Sequence, residues 1–304
     1  MSSRPAPEVA PAHRAGRVAI VGRPNVGKST LLNRLVGSKL SITSAKPQTT
    51  RQRITGIVTR ANAQIVFIDT PGYQTEHLSA MNRVMNSSVV AGLQDVDAAI
   101  WVVEALRNDE RDEVVAGLLK RGCPVILAIN KTDTVKDKKR LLPFIARIAG
   151  SHALEAVIPV SATKGWQVSE LLDAVVPLLP EGPPFYDADD VTTANERFLA
   201  AELLREKLFR SLGDELPYAT TVEIDRFRQD GEMRSIYAVI VVDKEGQKPI
   251  VIGKDGMNLK SIATRARRDM EQLFGGKVFL EVWVKVRRGW ADSEAVLGRL
   301  GNEG

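Results

Sequence analysis

A short apolar run at residues 17–21 breaks into Gly22, Arg23, Pro24, Asn25, Val26, Gly27, Lys28, Ser29 and Thr30, and then into a segment of helical character. Strand, glycine-rich turn and helix in direct succession constrain this chain more than any other feature. The spacing G-x-x-x-x-G-K-[ST] suits a loop whose backbone N–H groups turn toward phosphate oxygens at a helix N-terminus. Unpaired amides and the helix dipole both favour an anion there. Lys28 is placed to reach the outer phosphates and the Ser29 hydroxyl to meet Mg²⁺. A purely structural turn is the alternative, and the flanking strand and helix argue against it.

Further apolar runs at residues 65–68, 97–103, 125–129 and 156–160 alternate with helix-length segments as far as about residue 179. That alternation predicts an α/β domain, a mostly parallel sheet with helices on both faces. Chemically pointed loops close these runs. Asp69, Thr70, Pro71 and Gly72 offer a carboxylate to a metal and a backbone N–H to the γ-phosphate. Asn130, Lys131 and Asp133 offer a carboxylate and an amide to the base. Guanine has the N1–H and exocyclic amine such a carboxylate needs, and adenine lacks them, so leaving the carboxylate unpaired penalises ATP. The backbone of Ser161, Ala162 and Thr163 is placed to meet the guanine carbonyl. Residues 38–53 are polar and read as a segment that orders with the γ-phosphate, Thr50 rather than Thr49 completing the metal shell.

With 304 residues the chain has room for two cores. Residues 1–16 read as a disordered tail, with a short organellar transit peptide as the rival; residues 17–180 form the first domain. A proline-rich, then acidic stretch makes 181–191 a linker, and 192–304 a second domain. The second half predicts a helix over 192–212, two strands, a glycine-containing turn, another long helix and a last strand. Between residues 244 and 288 there are eleven Lys and Arg against five Asp and Glu, so the positive charge gathers there. One cysteine, Cys123, and three histidines make neither a disulfide nor a zinc cluster, which suits a reducing, cytoplasmic setting. A monomer is the default.

Taken together, these segments resemble the translation-factor-like GTPases, and within them the Era family of bacterial ribosome-assembly GTPases. The likeness spans residues 17–301 and is most specific at 47–51 (Pro-Gln-Thr-Thr-Arg), 251–256 (Val-Ile-Gly-Lys-Asp-Gly) and 282–290 (Val-Trp-Val-Lys-Val-Arg-Arg-Gly-Trp). It implies an α+β type II K-homology domain after the linker. Its G-x-x-G loop would be Gly253, Lys254, Asp255 and Gly256, beside a groove lined by Ile250, Val251, Ile252, Leu259 and Ile262. Lys254, Lys260, Arg265 and Arg268 are the candidate phosphate contacts, with Arg267 on another side of the helix. The resemblance further implies GTP and GDP as ligands and the 3′ end of small-subunit (16S) ribosomal RNA and the maturing small subunit as partners. As an option beside the cytoplasm, it implies peripheral contact with the inner membrane.

Ras-like enzymes orient water with a Gln just after D-x-x-G, but Tyr73 stands there and Gln74 follows. The resemblance supplies instead a K⁺ ion held partly by Asn25. After Gly72 the chain departs from the family's usual pattern, reading Tyr-Gln-Thr-Glu-His over 73–77. Two other classes compete: a GTPase of tRNA modification or protein targeting, and an RNA-binding scaffold that holds nucleotide without turnover.

Overall fold

The computed structural model describes residues 12–44, 46, 49–75, 80–119, 123–213 and 215–290. In chain order the first half runs β1 (Arg14–Val21), α1 (Lys28–Val36), β2 (Ile54–Arg60), β3 (Ala63–Asp69), α2 (Ala80–Gly92), β4 (Ala98–Glu104), α3 (Glu110–Leu119), β5 (Val125–Asn130), α4 (Leu141–Ala149), β6 (Ala156–Pro159) and α5 (Val168–Val175). The strands lie in the order β2-β3-β1-β4-β5-β6, all parallel except β2. Alternate residues of the central strands serve opposite faces. Val18, Ile20, Ile100 and Val102 pack with α1 and α5, whereas Ala19, Val21, Trp101 and Val103 pack with α2, α3 and α4. Burial on both faces is why these strands read as continuous apolar runs.

Strand β2 is not foreseen by the periodicity. Its sequence, Ile-Thr-Gly-Ile-Val-Thr-Arg, carries no apolar run, and Gly56 sits where α1 crosses closely. A Cβ there would meet Val36 Cγ2 at 2.7 Å and Leu32 Cδ1 at 2.8 Å. The glycine that weakens the strand signal is what lets the helix lie against the sheet. Two boundaries also shift. β1 already begins at Arg14, so residues 14–16 belong to the sheet rather than to the tail. The helix expected over 192–212 begins at Glu196, capped by the Asn195 carboxamide, which accepts from the Phe198 N–H at 2.8 Å.

That helix, α6 (Glu196–Ser211), opens the second half. It is followed by β7 (Thr220–Asp230), β8 (Met233–Val242), α7 (Gln247–Ile252), α8 (Met257–Phe274) and β9 (Val278–Val286). β8 is central, antiparallel to β7 and parallel to β9. Leu203, Leu204 and Leu208 of α6 and Ile262, Ala266 and Met270 of α8 cover its Ile236, Ala238, Ile240 and Val242. The connecting stretch 181–191 lies against the first sheet instead of hanging free. The Phe185 and Tyr186 N–H groups donate to Gln64 Oε1, and the Val191 carbonyl accepts from the Ile57 N–H at 2.9 Å.

The described part of 38–53 is wedged between the two halves. The buried Arg51 guanidinium donates to the Thr220 carbonyl at 3.0 Å and lies over the rings of Phe209 and Trp290. Arg205 of α6, paired with Glu202, donates to the Thr49 carbonyl at 2.5 Å. Lys39 reaches Glu206 and Asp269. Met81 and Met85 of α2 pack on Val239, Val241 and Trp290.

Replacing Gly56 with Val should wedge α1 from the sheet and lower stability by about 1–3 kcal/mol. Gly117→Ala, in α3 with open space around the added methyl, should raise it by about 0.4–1 kcal/mol. Urea unfolding of the full chain checks both, and an unchanged midpoint for Gly56→Val would contradict the close-approach reading.

Candidate functional site

The loop between β1 and α1 is shaped by contacts that exclude side chains. A Cβ on Gly22 would meet the Val102 carbonyl at 2.4 Å, and one on Gly27, whose φ is 99°, would meet Asn130 Nδ2 at 2.3 Å. Asn25 holds a left-handed conformation, φ 64°. The buried Lys28 ammonium donates to the carbonyls of Gly22 and Arg23 at 2.9 and 3.0 Å. Burial lowers its pKa to about 8, against the opposing pull of Asp69. The Arg23 side chain does not face the cradle: it forks onto Asp112 at 3.0 and 3.2 Å and donates to the Arg107 carbonyl.

At the end of β3, the Asp69 carboxylate is fully buried. Its Oδ2 accepts from Ser29 and Ser41 at 2.8 Å each, and its Oδ1 has no protein partner. Burial pushes its pKa up, countered by Lys28 and the two hydroxyls. The Ser29 hydroxyl lies 2.7 Å from that of Thr50, whereas the Thr49 hydroxyl is turned to the Lys46 carbonyl. Three oxygen donors, one of them an unsatisfied buried carboxylate oxygen, are therefore gathered around one point, a donor set of the kind Mg²⁺ takes. Thr70 is structural: its hydroxyl donates to the Ile20 carbonyl at 2.8 Å. Gly72 abuts Pro24, whose backbone a Cβ would meet at 2.7 Å.

A cleft of about 260 Å³ is lined by Pro24, Asn25, Gly27, Lys28, Ser29, Thr30, Thr49, Thr50, Gly72 and Lys131, with Ile42, Thr43 and Ser44 closing one side. Gln74 is not among these. Its backbone is held at both ends by the Asn86 carboxamide, and Tyr73 packs into the core beneath α2. Pro47, Gln48, Glu76 and His77 lie outside the described residues.

In the base segment Asn130 acts as a brace. Its amide donates to the Val26 carbonyl at 2.8 Å and accepts the Ala162 N–H at 3.0 Å, tying the phosphate loop to the 161–163 loop. The Ala162 N–H expected to meet the base carbonyl is taken up by Asn130 Oδ1. Asp133 is oriented by the Ser161 hydroxyl at 2.6 Å. Sequence reasoning missed two supports. Arg34 holds the carbonyls of Ala162 and Thr163, and Glu104 holds the Lys131 ammonium at 2.7 Å. Arg34 is a lone Arg on the first helix, and Glu104 meets Lys131 only because β4 and β5 pair at Glu104 and Asn130.

In the second half, Gly253 and Gly256 both have positive φ, 74° and 73°, and a Cβ on Gly253 would meet Asn258 Cβ at 2.7 Å. Lys254 and Asp255 are exposed between them. The groove expectation needs correction for Val251 and Ile262, which are fully buried in the core; Ile250 is exposed, and Ile252 and Leu259 are partly buried. Lys260, Arg265 and Arg268 are spread over the exposed arc of α8 with Met257, Ser261 and Thr264, while Arg267 pairs with Glu271 at 2.5 Å. Arg265 leans toward α6, donating to the Ser211 hydroxyl at 2.5 Å, and lies about 140° around the helix from Lys260.

Residues 17–131 match the family described as 50S ribosome-binding GTPase, and residues 215–291 the KH domain. The GTPase Era of Nitrosomonas eutropha is 52% identical over 291 residues, covering 96% of this chain and 98% of that one. That of Chromobacterium violaceum is 54% identical over 286 residues, covering 94% and 97%. Two solved structures superpose with a TM-score of 0.91 at 38% identity, covering 96% of this chain and 99% of the other. One is a variant of Aquifex aeolicus Era bound to GDP.AlF4-; the other is Era in complex with MgGDPNP and nucleotides 1506-1542 of 16S ribosomal RNA. With this identity carried across both halves, the chain belongs to the Era family of GTPases.

Proposed function

We propose that this protein is a GTP-hydrolysing switch that binds the 3′ region of small-subunit ribosomal RNA and assists assembly of the small ribosomal subunit. The observation that carries this reading is the joining of two sites by one segment. Residue 50 meets Ser29 in the cleft, while residues 49 and 51 are held by the second domain's Arg205 and Thr220. The broad family description names the 50S subunit, but the neighbour that matches both halves holds 16S RNA. That full-length likeness also disfavours a GTPase of tRNA modification or protein targeting.

Lys28 and the loop amides receive the β- and γ-phosphates, and Asp133 receives guanine. Ser29, Thr50 and Asp69 would hold Mg²⁺, which would supply neutralisation of the charge on the β- and γ-phosphates. Water attacks the γ-phosphorus in line as the bond to the β–γ bridging oxygen breaks, giving GDP and phosphate, the protein contributing position and electrostatics through Lys28 and the Gly72 N–H. Asn25, at the mouth of the cleft, is the residue assigned to K⁺. Gly253 to Gly256 and Ile252, Leu259 and Lys260 take the RNA backbone, with Arg265 and Arg268 adding charge along α8. The reading places the protein in the cytoplasm as a monomer; peripheral membrane contact rests on the family resemblance alone.

Three outcomes follow. Because free Lys28 gives up its proton near pH 8 and a bound phosphate restores it, GDP affinity should be flat below pH 7 and fall as pH rises through 8. The fall should be about tenfold between pH 7 and 9; titration calorimetry showing constant affinity over that range would remove the buried-lysine account. Asp133→Asn should shift preference from GTP toward XTP by at least about 100-fold and keep RNA binding. Gly253→Asp should do the opposite, and a variant that loses both activities together contradicts separate sites.

A further inference from the structure

Every second residue of β8 faces away from the core of its domain. Val239 and Val241 on that outer face are covered by Met81, Met85 and Trp290. Among the described residues nothing covers the face beyond them, and it carries a row of aromatic rings. Tyr237 lies between Phe279 and Trp283 of β9, with ring centroids 5.9 and 6.0 Å apart, and its plane is within 14° of that of Trp283. Phe279 and Trp283 are 46% and 41% exposed, far more than large aromatics need to be on a structural sheet. The Arg226 guanidinium from β7 lies 5.5 Å from the Tyr237 ring. Arg228 and Lys285 extend the same face, and Glu223, Asp230 and Glu281 are carboxylates on it, Glu223 paired with Arg287 at 2.5 Å.

We propose that this open half of the outer sheet face is a second RNA-binding surface, on which unpaired bases stack against Tyr237, Phe279 and Trp283. The inference rests on the reading of this domain as an RNA binder. A guanidinium over one ring beside two exposed aromatic side chains favours a partner with π-surfaces over an apolar protein patch. The Arg226 contact already shows a guanidinium and a ring sharing the platform, the pairing that accepts base faces without sequence preference. Position supports the same occupant. β9 is the edge strand of its sheet and packs on α7 and α8, so the Gly253–Gly256 loop and the platform lie on two sides of one strand. A K-homology groove holds only about four nucleotides. An RNA strand leaving it needs only to round the β9 edge to reach the rings.

The test uses the full chain and two probes: a single-stranded RNA tetranucleotide, and a 12-nucleotide single strand that begins with the same four bases. Trp283→Ala and, as a second variant, Tyr237→Ala are compared with the unaltered protein, with circular dichroism to verify folding. Both variants should bind the tetranucleotide normally and the longer strand about tenfold more weakly. The longer strand should quench tryptophan emission in the unaltered protein but far less in Trp283→Phe. Unchanged affinity of both variants for the longer strand overturns the proposal and turns the platform over to a protein partner. Should the tetranucleotide fail to bind while quenching by the longer strand persists, the groove assignment falls and the platform stands.

Discussion

A carboxylate taken out of water is costly unless its lone pairs find donors or a cation. Asp69, fully buried at the end of β3, meets that demand by drawing in Ser29 from the phosphate loop and Ser41 from the segment that follows α1, with Lys28 close by. Ser29 in turn meets Thr50. The positions of three loops thus follow from one buried charge. Its second oxygen is left without a protein partner, so the arrangement is complete only when a cation or its water joins it. The same economy governs the base segment, where Asn130 spends both ends of its amide on neighbouring loops and thereby sets the distance between phosphate and base positions.

From Thr50 the constraint passes into the second half of the molecule. The carbonyl of Thr49 and the side chain of Arg51 are both taken up by groups of α6 and the start of β7, in surroundings from which water is excluded. Burial and the nearby Arg205 guanidinium press the Arg51 pKa below its usual range. Arg205 is paired with Glu202, and both guanidinium groups keep their carbonyl partners only while this segment keeps its present course. A change of nucleotide that moves Thr50 must therefore either break these contacts or carry α6 with it. α6 packs on α8, the helix that follows the Gly253–Gly256 loop. The coupling element required of a switch is a contiguous set of packed and hydrogen-bonded groups here.

Much of this was legible in the residues. Apolar runs followed by polar loops marked β1, β3, β4, β5 and β6, because a parallel sheet buried on both faces leaves an unbroken apolar signature. The choice of Thr50 over Thr49 agrees with the direction each hydroxyl takes. The separation of Arg267 from Arg268 agrees with simple helical geometry. What stayed hidden was tertiary. Gly56 disguised β2, since its value lies in what α1 does above it. The family resemblance puts Val251 and Ile262 in a groove, but a resemblance does not say which apolar residues beside a loop turn to the core, and these two do. Arg34, Glu104 and Arg205 act through partners far away in sequence. The aromatic row on β8 and β9 needed the strand register before its members could be seen together.

The central claim is that occupancy of the RNA site and hydrolysis in the nucleotide cleft are linked through residues 49–51. The most direct measurement is multiple-turnover GTP hydrolysis, in KCl and in NaCl, with and without an RNA ending in the small-subunit 3′ sequence. The account predicts turnover that is slow alone, rises when that RNA is added, and is greater in KCl than in NaCl. Turnover indifferent to the RNA in both salts would contradict it, leaving two sites that share a chain without acting on each other.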